Sequence, residues 1–226
     1  MTPEDYTEFP TAYPGLEGLS WMAPKEIEHL VRHLPVEGGS WLEIGSAAGV
    51  TTALVGRLKP SLRVVSVDTF QHTNAEHMAD CDPQRQERWH MNNDSNSNAS
   101  LFVGTVQQYE QQYRVPLFDA VLCDAGHRFH EVYDDLLAAE RLLRRGGWVL
   151  VHDYLSQKWY GVAPAVVQFC WDHRFAVASV GGMLAALKRL DNDGKEHQCT
   201  LTPSPAVSAP STPRTYRAHL VRGFRP

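Results

Sequence analysis

Residues 41–68, WLEIGSAAGVTTALVGRLKPSLRVVSVD, leave a chain few ways to fold. They open with the apolar run Trp41-Leu42-Glu43-Ile44 and turn through Gly45-Ser46-Ala47-Ala48-Gly49. They continue at helical spacing to about Leu58, then enter the β-branched run Val64-Val65-Ser66-Val67, closed by Asp68. Strand, glycine turn, helix, strand is a βαβ crossover, right-handed by default. A strand so rich in valine suits a parallel sheet buried on both faces. At the turn, Gly45 and Gly49 remove side chains where the chain bends sharply and where a ligand approaches the backbone. The first N–H groups of the following helix face the same space. Asp68, about 25 residues after Glu43, falls at the carboxyl end of the second strand, where acids hold ribose hydroxyls. Two acids and a glycine turn predict a nucleoside pocket; a helix packed tightly on a strand would show the same glycines.

A dinucleotide turn, G-x-G-x-x-G, would need glycine where Ala47 and Val50 stand, which disfavours a nicotinamide cofactor. The run E-I-G-S-A-A-G at 43–49 resembles motif I of class I S-adenosylmethionine-dependent methyltransferases. That resemblance implies that the turn at Gly45, Ser46, Ala47 and Gly49 holds the methionine part. It also implies that Glu43 supports the amino end and that Asp68, with Thr69 beside it, binds the ribose.

A chain of 226 residues can build one substantial α/β domain. Its net charge of -5 and lack of a basic stripe argue against a nucleic-acid partner. Arg141, Arg144 and Arg145 read instead as the cationic last turn of a helix. The four cysteines, Cys81, Cys123, Cys170 and Cys199, show neither metal-ligand spacing nor a disulfide framework. MTPEDYTEFP carries no signal sequence and no apolar run reaches membrane-spanning length, so the expectation is a cytoplasmic protein with no membrane partner.

In chain order, residues 1–20 form a turn-rich, aromatic N-terminal flap, and a helix starts at Pro24 with Ile27, Leu30, Val31 and Leu34 inward. Residues 71–100 form an insertion without strand character that either covers the substrate or is a surface loop. A third strand at 101–103 leads into Gly104-Thr105-Val106-Gln107. A fourth covers 118–124, a helix 129–145, a fifth strand 148–151 and a further helix 161–172. Strands at 175–180 and 183–187 are joined by Gly181-Gly182, a hairpin signature. The main domain covers 21–190, and the proline-rich residues 191–226 read as a tail.

Ligands in open α/β sheets bind beyond the carboxyl ends of the strands. There the sequence gathers Asp68, Asp124, His127, His130, His152 and Asp153. The stretch VLCDAGHRFHEVYDDLLAAERLLRRGGWVLVHDY resembles small-molecule methyltransferases with the pattern D-G-x-H-x-Y, helix, G-G, H-D-Y, relatives of the catechol-type and macrolide-sugar O-methyltransferases. The resemblance implies a Rossmann-like, mainly parallel seven-stranded sheet with a C-terminal antiparallel hairpin and helices on both faces. It lays Thr105, Val106 and Gln107 along the adenine and places Asp124 and Asp153 where Mg²⁺ is held. Tyr154 stands where that family has an amide ligand, and His152 leaves room for a softer divalent metal or for none. His127, three residues after Asp124, is the candidate general base, and His130 a lesser one; the alternative for His127 is to cap the next helix or orient Asp124. Asp124 and Asp153 complete the candidate catalytic set.

The function implied is S-adenosylmethionine-dependent O-methylation of a small-molecule acceptor. N-methylation, a hydroxylase-like reaction and a non-catalytic cofactor-binding protein are the alternatives. Trp21, Trp89, Trp159, Tyr154 and Tyr160 are candidates to line an aromatic pocket. A homodimer is compatible with the tail.

Overall fold

Along each central strand the side chains go alternately to two separate cores, as the pleat requires. Leu42, Ile44, Val65, Val67, Val121, Val149 and Val151 enter one core, while Trp41, Val64, Ala120, Leu122 and Leu150 enter the other. With both faces covered, β1 (Ser40–Ile44) is buried at every position, as a strand inside a two-sided sheet must be. The computed structural model describes residues 15–16, 20, 22–35, 38–71, 84–113 and 118–190.

The elements follow the order α1 (Pro24–Arg32), β1, α2 (Val50–Leu58), β2 (Arg63–Asp68), α3 (Arg85–Asn93), β3 (Ala99–Val103), α4 (Val106–Tyr113) and β4 (Phe118–Cys123). They continue with α5 (Phe129–Leu142), β5 (Leu143–Val151), α6 (Val162–His173), β6 (Phe175–Gly181) and β7 (Leu184–Arg189). One seven-stranded sheet has the order β3-β2-β1-β4-β5-β7-β6, with β7 antiparallel to both its neighbours and the other pairs parallel. Strand order reverses between β1 and β4, so the crevice opens beyond their carboxyl ends. The fold is the Rossmann-like one expected.

Three local expectations are corrected, and one helix is added. The helix after β4 ends at Leu142, and Arg144 and Arg145 lie in β5. Leu143 pairs with Phe118 across the sheet, and Arg144 Nη1 meets Asp119 Oδ2 at 2.8 Å. Pairing with β4 thus wins over helix continuation. Beyond Gly104 a helix forms, α4, that the sequence hid: only its Val106 and Tyr109 are buried, too sparse an apolar stripe to register.

The 71–100 stretch is not a plain loop. Its residues 72–83 lie outside the described part, but α3 follows, and side chains of α3 and of the turn after it cap carbonyls of the glycine turn, of α2 and of the turn before β2. Asn92 Nδ2 donates to Ala48 O at 2.8 Å, Asn93 to Gly49 O at 3.2 Å, Asn96 to Ala53 O at 3.3 Å and Asn98 to Leu62 O at 2.9 Å. Finally, the hairpin turn is Gly182-Met183, since β6 runs through Gly181.

Expectations about most of 1–20 and about 191–226, and those for Trp21, Cys81 and Cys199, fall outside the described residues. Cys123 and Cys170 are free thiols. No helix among the described residues is long and apolar enough to cross a membrane.

Candidate active site

The turn after β1 is forced tight. Gly45 has φ +86 and a Cβ there would meet Asp124 O at 2.4 Å, so only glycine lets β1 and β4 exit side by side. Ala47 also takes a left-handed conformation, at φ 46. Asp68 locks the turn from β2: its Oδ2 accepts the N–H groups of Ser46 and Ala47 at 2.8 and 2.7 Å, and its Oδ1 that of Phe70 at 2.6 Å. Asp68 is therefore a structural clamp of the turn as well as a candidate ribose ligand. Glu43 is buried, its Oε2 accepting the Thr52 hydroxyl. Burial pushes its carboxyl up to about 8 against the pull of the Thr52 hydrogen bond, and the negative charges of Asp124 and Asp68 push the same way.

At the ends of β4 and β5 a second group forms. Asp153, at φ 58, turns its side chain back toward the crevice, a conformation that a short polar residue tolerates. His127 Nε2 lies 3.0 Å from Asp153 Oδ2. His152 Nδ1 lies 3.1 Å from Asp124 Oδ1 and 3.4 Å from Asp153 Oδ2. Burial opposes the charge on His152, but the carboxylates of Asp124 and Asp153 overcome it and hold the imidazole well above its ordinary value. Asp153 shows the complement: burial pushes it up, yet His152 and His127 hold it below the usual carboxylate range. Trp159 stacks on His127 with ring centroids 4.4 Å apart and planes at 23°, and Lys158 Nζ lies over the indole at 4.6 Å.

Both groups face one cavity of about 700 Å³, within the range of small-ligand sites. Glu43, Gly45, Ser46, Ala47, Asp68, Thr69, Thr105, Val106, Gln107, Asp124, His127 and Asp153 all line it. Gly49 and His152 do not. Gly49 sits against Trp89, whose Cδ1 would lie 2.4 Å from an added Cβ, and His152 stands buried behind the carboxylates. Thr105 spends its hydroxyl and N–H on Gln108, capping α4.

His130 is exposed on α5, and Phe129, in the place of the pattern's tyrosine, stacks on Tyr133 with centroids 5.9 Å apart. Among the aromatic candidates Trp159 lines the cavity, whereas Trp89 is buried under the turn, Tyr154 packs on the core and Tyr160 is 87% exposed. Sequence reasoning missed Ser20, Arg85, Ser156, Lys158 and Met183 on the cavity wall. Ser20, Arg85 and Met183 come from segments distant along the chain from the motifs, and Ser156 and Lys158, just after Asp153, carry no pattern of their own.

The residues fit a nucleoside ligand and a cation. Ser46 Oγ is buried on the cavity wall with no hydrogen-bond partner among the described residues, a donor that calls for a ligand. Asp124, His152 and Asp153 each offer one ligand atom, all within 4.8 Å of one another. A cation held by this cluster would take its third ligand atom from His152, and not from the position of Tyr154.

A family model described as a methyltransferase domain matches residues 42–154. The chain belongs to this methyltransferase family. Among solved structures, the O-methyltransferase NovP is similar at 15% identity, over 75% of this chain and 81% of that one, with a TM-score of 0.58. The apo structure of CalS11, a TDP-rhamnose 3'-O-methyltransferase of calicheamicin biosynthesis, matches at 18% identity over 74% and 81%, with a TM-score of 0.51. Aeropyrum pernix fibrillarin with natively bound S-adenosyl-L-methionine matches at 16% identity over 67% and 66%, with a TM-score of 0.50. At such identities these structures establish a shared fold. No curated protein matches the chain.

Proposed function

We propose that this methyltransferase transfers a methyl group from S-adenosylmethionine to the hydroxyl of a small-molecule acceptor, with His127 as general base. The observation that carries the proposal is the pairing of His127 with Asp153 at 3.0 Å on the wall of the cavity that also holds the glycine turn. Glu43, Gly45, Ser46, Ala47 and Gly49, with Asp68 and Thr69, bind or shape the cofactor's methionine and ribose end. Thr105, Val106 and Gln107 line the adenine side. S-adenosylmethionine supplies an activated methyl group on a sulfonium, so the protein has to align the partners, exclude water and remove a proton.

Asp153 keeps the proton of His127 on Nε2, which leaves Nδ1 to take the proton of the acceptor hydroxyl. This is the logic by which a carboxylate orients a catalytic imidazole. Trp159 fixes the plane of that imidazole from its other face. Asp124, His152 and Asp153 would hold a divalent cation, Mg²⁺ or, given the nitrogen donor, a softer ion; when bound it would lower the acceptor's pKa. CalS11 and NovP, as O-methyltransferases of the same fold, support the choice of a hydroxyl acceptor.

Calorimetry with S-adenosylhomocysteine, with and without Mg²⁺ or Mn²⁺, tests the cofactor. Methyl transfer to a panel of phenols, catechols and sugar hydroxyls tests the chemistry. Saturable binding followed by His127-dependent turnover is expected. A chain that does not bind S-adenosylhomocysteine sinks the proposal.

A further inference from the structure

An acid in the first turn of a helix is ordinarily a surface residue, worth a few tenths of a kcal/mol through the helix dipole. Glu26 of α1 is instead 2% exposed. A buried carboxylate needs partners on both oxygens, and Glu26 has them. Its Oε2 accepts the Ala23 N–H at 2.7 Å, and its Oε1 accepts the Met183 N–H in the β6–β7 turn at 2.6 Å. Space for it is cleared by Gly182, where an added Cβ would lie 2.5 Å from Glu26 Oε1.

A third contact is of another kind. Glu26 Oε2 lies 3.4 Å from Nε2 of His152, 126 residues further on. The opposite edge of the same ring, Nδ1, faces Asp124 Oδ1 at 3.1 Å and Asp153 Oδ2 at 3.4 Å. An imidazole whose outer N–H is taken by a carboxylate is fixed in both tautomer and orientation.

We propose that Glu26 is a positioning residue for the strand-end centre: its carboxylate holds the Nε2 proton of His152 and so presents Nδ1 to Asp124 and Asp153. The inference rests on reading those residues, with His127, as the reaction centre. It gives α1, which lies outside the matched residues 42–154 and does not line the cavity, a part in the chemistry. The same carboxylate anchors Met183, a wall residue of the cavity, so one buried acid ties the first helix, the C-terminal hairpin and the end of β5 together.

The test uses the full chain and two variants. Glu26→Gln removes the negative charge and turns one of the two accepting oxygens into a donor, with little change of shape. Leu34→Ala removes core packing just beyond α1, where Leu34 is buried, while leaving Glu26 and both of its N–H partners in place. Long-range ¹H–¹⁵N spectra of the histidine rings and Mn²⁺ affinity by electron paramagnetic resonance are the readouts, with S-adenosylhomocysteine binding as the check that each variant is folded.

Wild type is expected to carry a slowly exchanging proton on His152 Nε2. Glu26→Gln is expected to lose that signal and to bind Mn²⁺ about 10–100-fold more weakly. Leu34→Ala is expected to be less stable yet unchanged in both readouts. A wild-type His152 protonated on Nδ1 alone overturns the proposal, whether or not the variants fold. So does Glu26→Gln with wild-type signal and affinity, or Leu34→Ala with the losses assigned to Glu26. A wild type that binds no Mn²⁺ but whose His152 signal depends on Glu26 supports Glu26 and removes only the cation from the proposed function.

Discussion

Asp153 Oδ2 lies between two imidazoles, 3.0 Å from His127 Nε2 and 3.4 Å from His152 Nδ1. One carboxylate therefore orients the candidate base and closes the buried group behind it. Replacing it with asparagine keeps the size but turns half of the group into a donor, which sets the wrong tautomer on His127. Asp153→Asn is expected to lower kcat by about 10²–10⁴-fold, with S-adenosylhomocysteine affinity unchanged because the glycine turn is untouched. Single-turnover kinetics beside calorimetry reads both. Unaltered turnover would remove Asp153 and His127 from the chemistry.

Asn92 on α3 is 2% exposed and its amide caps Ala48 O in the cofactor turn at 2.8 Å. Truncation leaves a buried carbonyl without a donor, at a cost of about 1–3 kcal/mol. For Asn92→Ala we expect a loss of that size in urea unfolding, together with weaker S-adenosylhomocysteine binding as the turn relaxes. Destabilisation with full affinity would make α3 mere packing.

How much of this was legible beforehand follows from the range of each interaction. The βαβ unit, the strand ends and the convergence of Asp124, His127 and Asp153 rest on periods and spacings within a few residues, and the methyltransferase resemblance is borne out by the family match over 42–154. The asparagines of NNDSNSN read as a loop because their partners lie 36 to 44 residues away, and no local pattern reports a side chain that caps a distant helix. Arg144 and Arg145 carry the charge expected of a helix end, yet β4 supplies the stronger competitor in strand pairing and Asp119. Glu26 carried a correct local signal, an acid in a first turn, that concealed a contact across the whole domain.

His29 on α1 and His33, the residue that caps it, sit one turn apart against the hairpin. His33 Nδ1 donates to His29 O at 2.7 Å, and His33 Nε2 faces Ser179 Oγ at 3.2 Å. Burial, then the charges of His33 and Arg32, pull His29 down to about 4. The unfolded chain takes up this proton near pH 6.5 and the native state only near 4, so stability falls as the pH drops between those values. His29→Asn is expected to flatten the acid side of the stability profile between pH 6.5 and 4.5. Parallel profiles for variant and wild type in urea titrations would refute it.

Glu43 carries the opposite linkage. The unfolded chain loses its proton near 4.5 and the native state holds it to about 8, so stability falls as the pH rises through that interval and levels off above it. The same burial readies the site for its ligand. A cationic amino group placed against Glu43 favours the ionised form, so binding at pH 7 should expel a proton, and affinity should climb with pH until about 8.

Calorimetry of S-adenosylhomocysteine in buffers of different ionisation enthalpy measures that proton directly. Glu43→Gln keeps an oxygen for the Thr52 hydroxyl but cannot ionise. It is expected to bind at least about tenfold more weakly, the equivalent of one charge-assisted hydrogen bond, to release no proton, and to melt higher than wild type at pH 8. Tight binding by Glu43→Gln, with no proton released by wild type, would leave Glu43 as a buried partner of Thr52 and move the ligand's amino end elsewhere in the cavity.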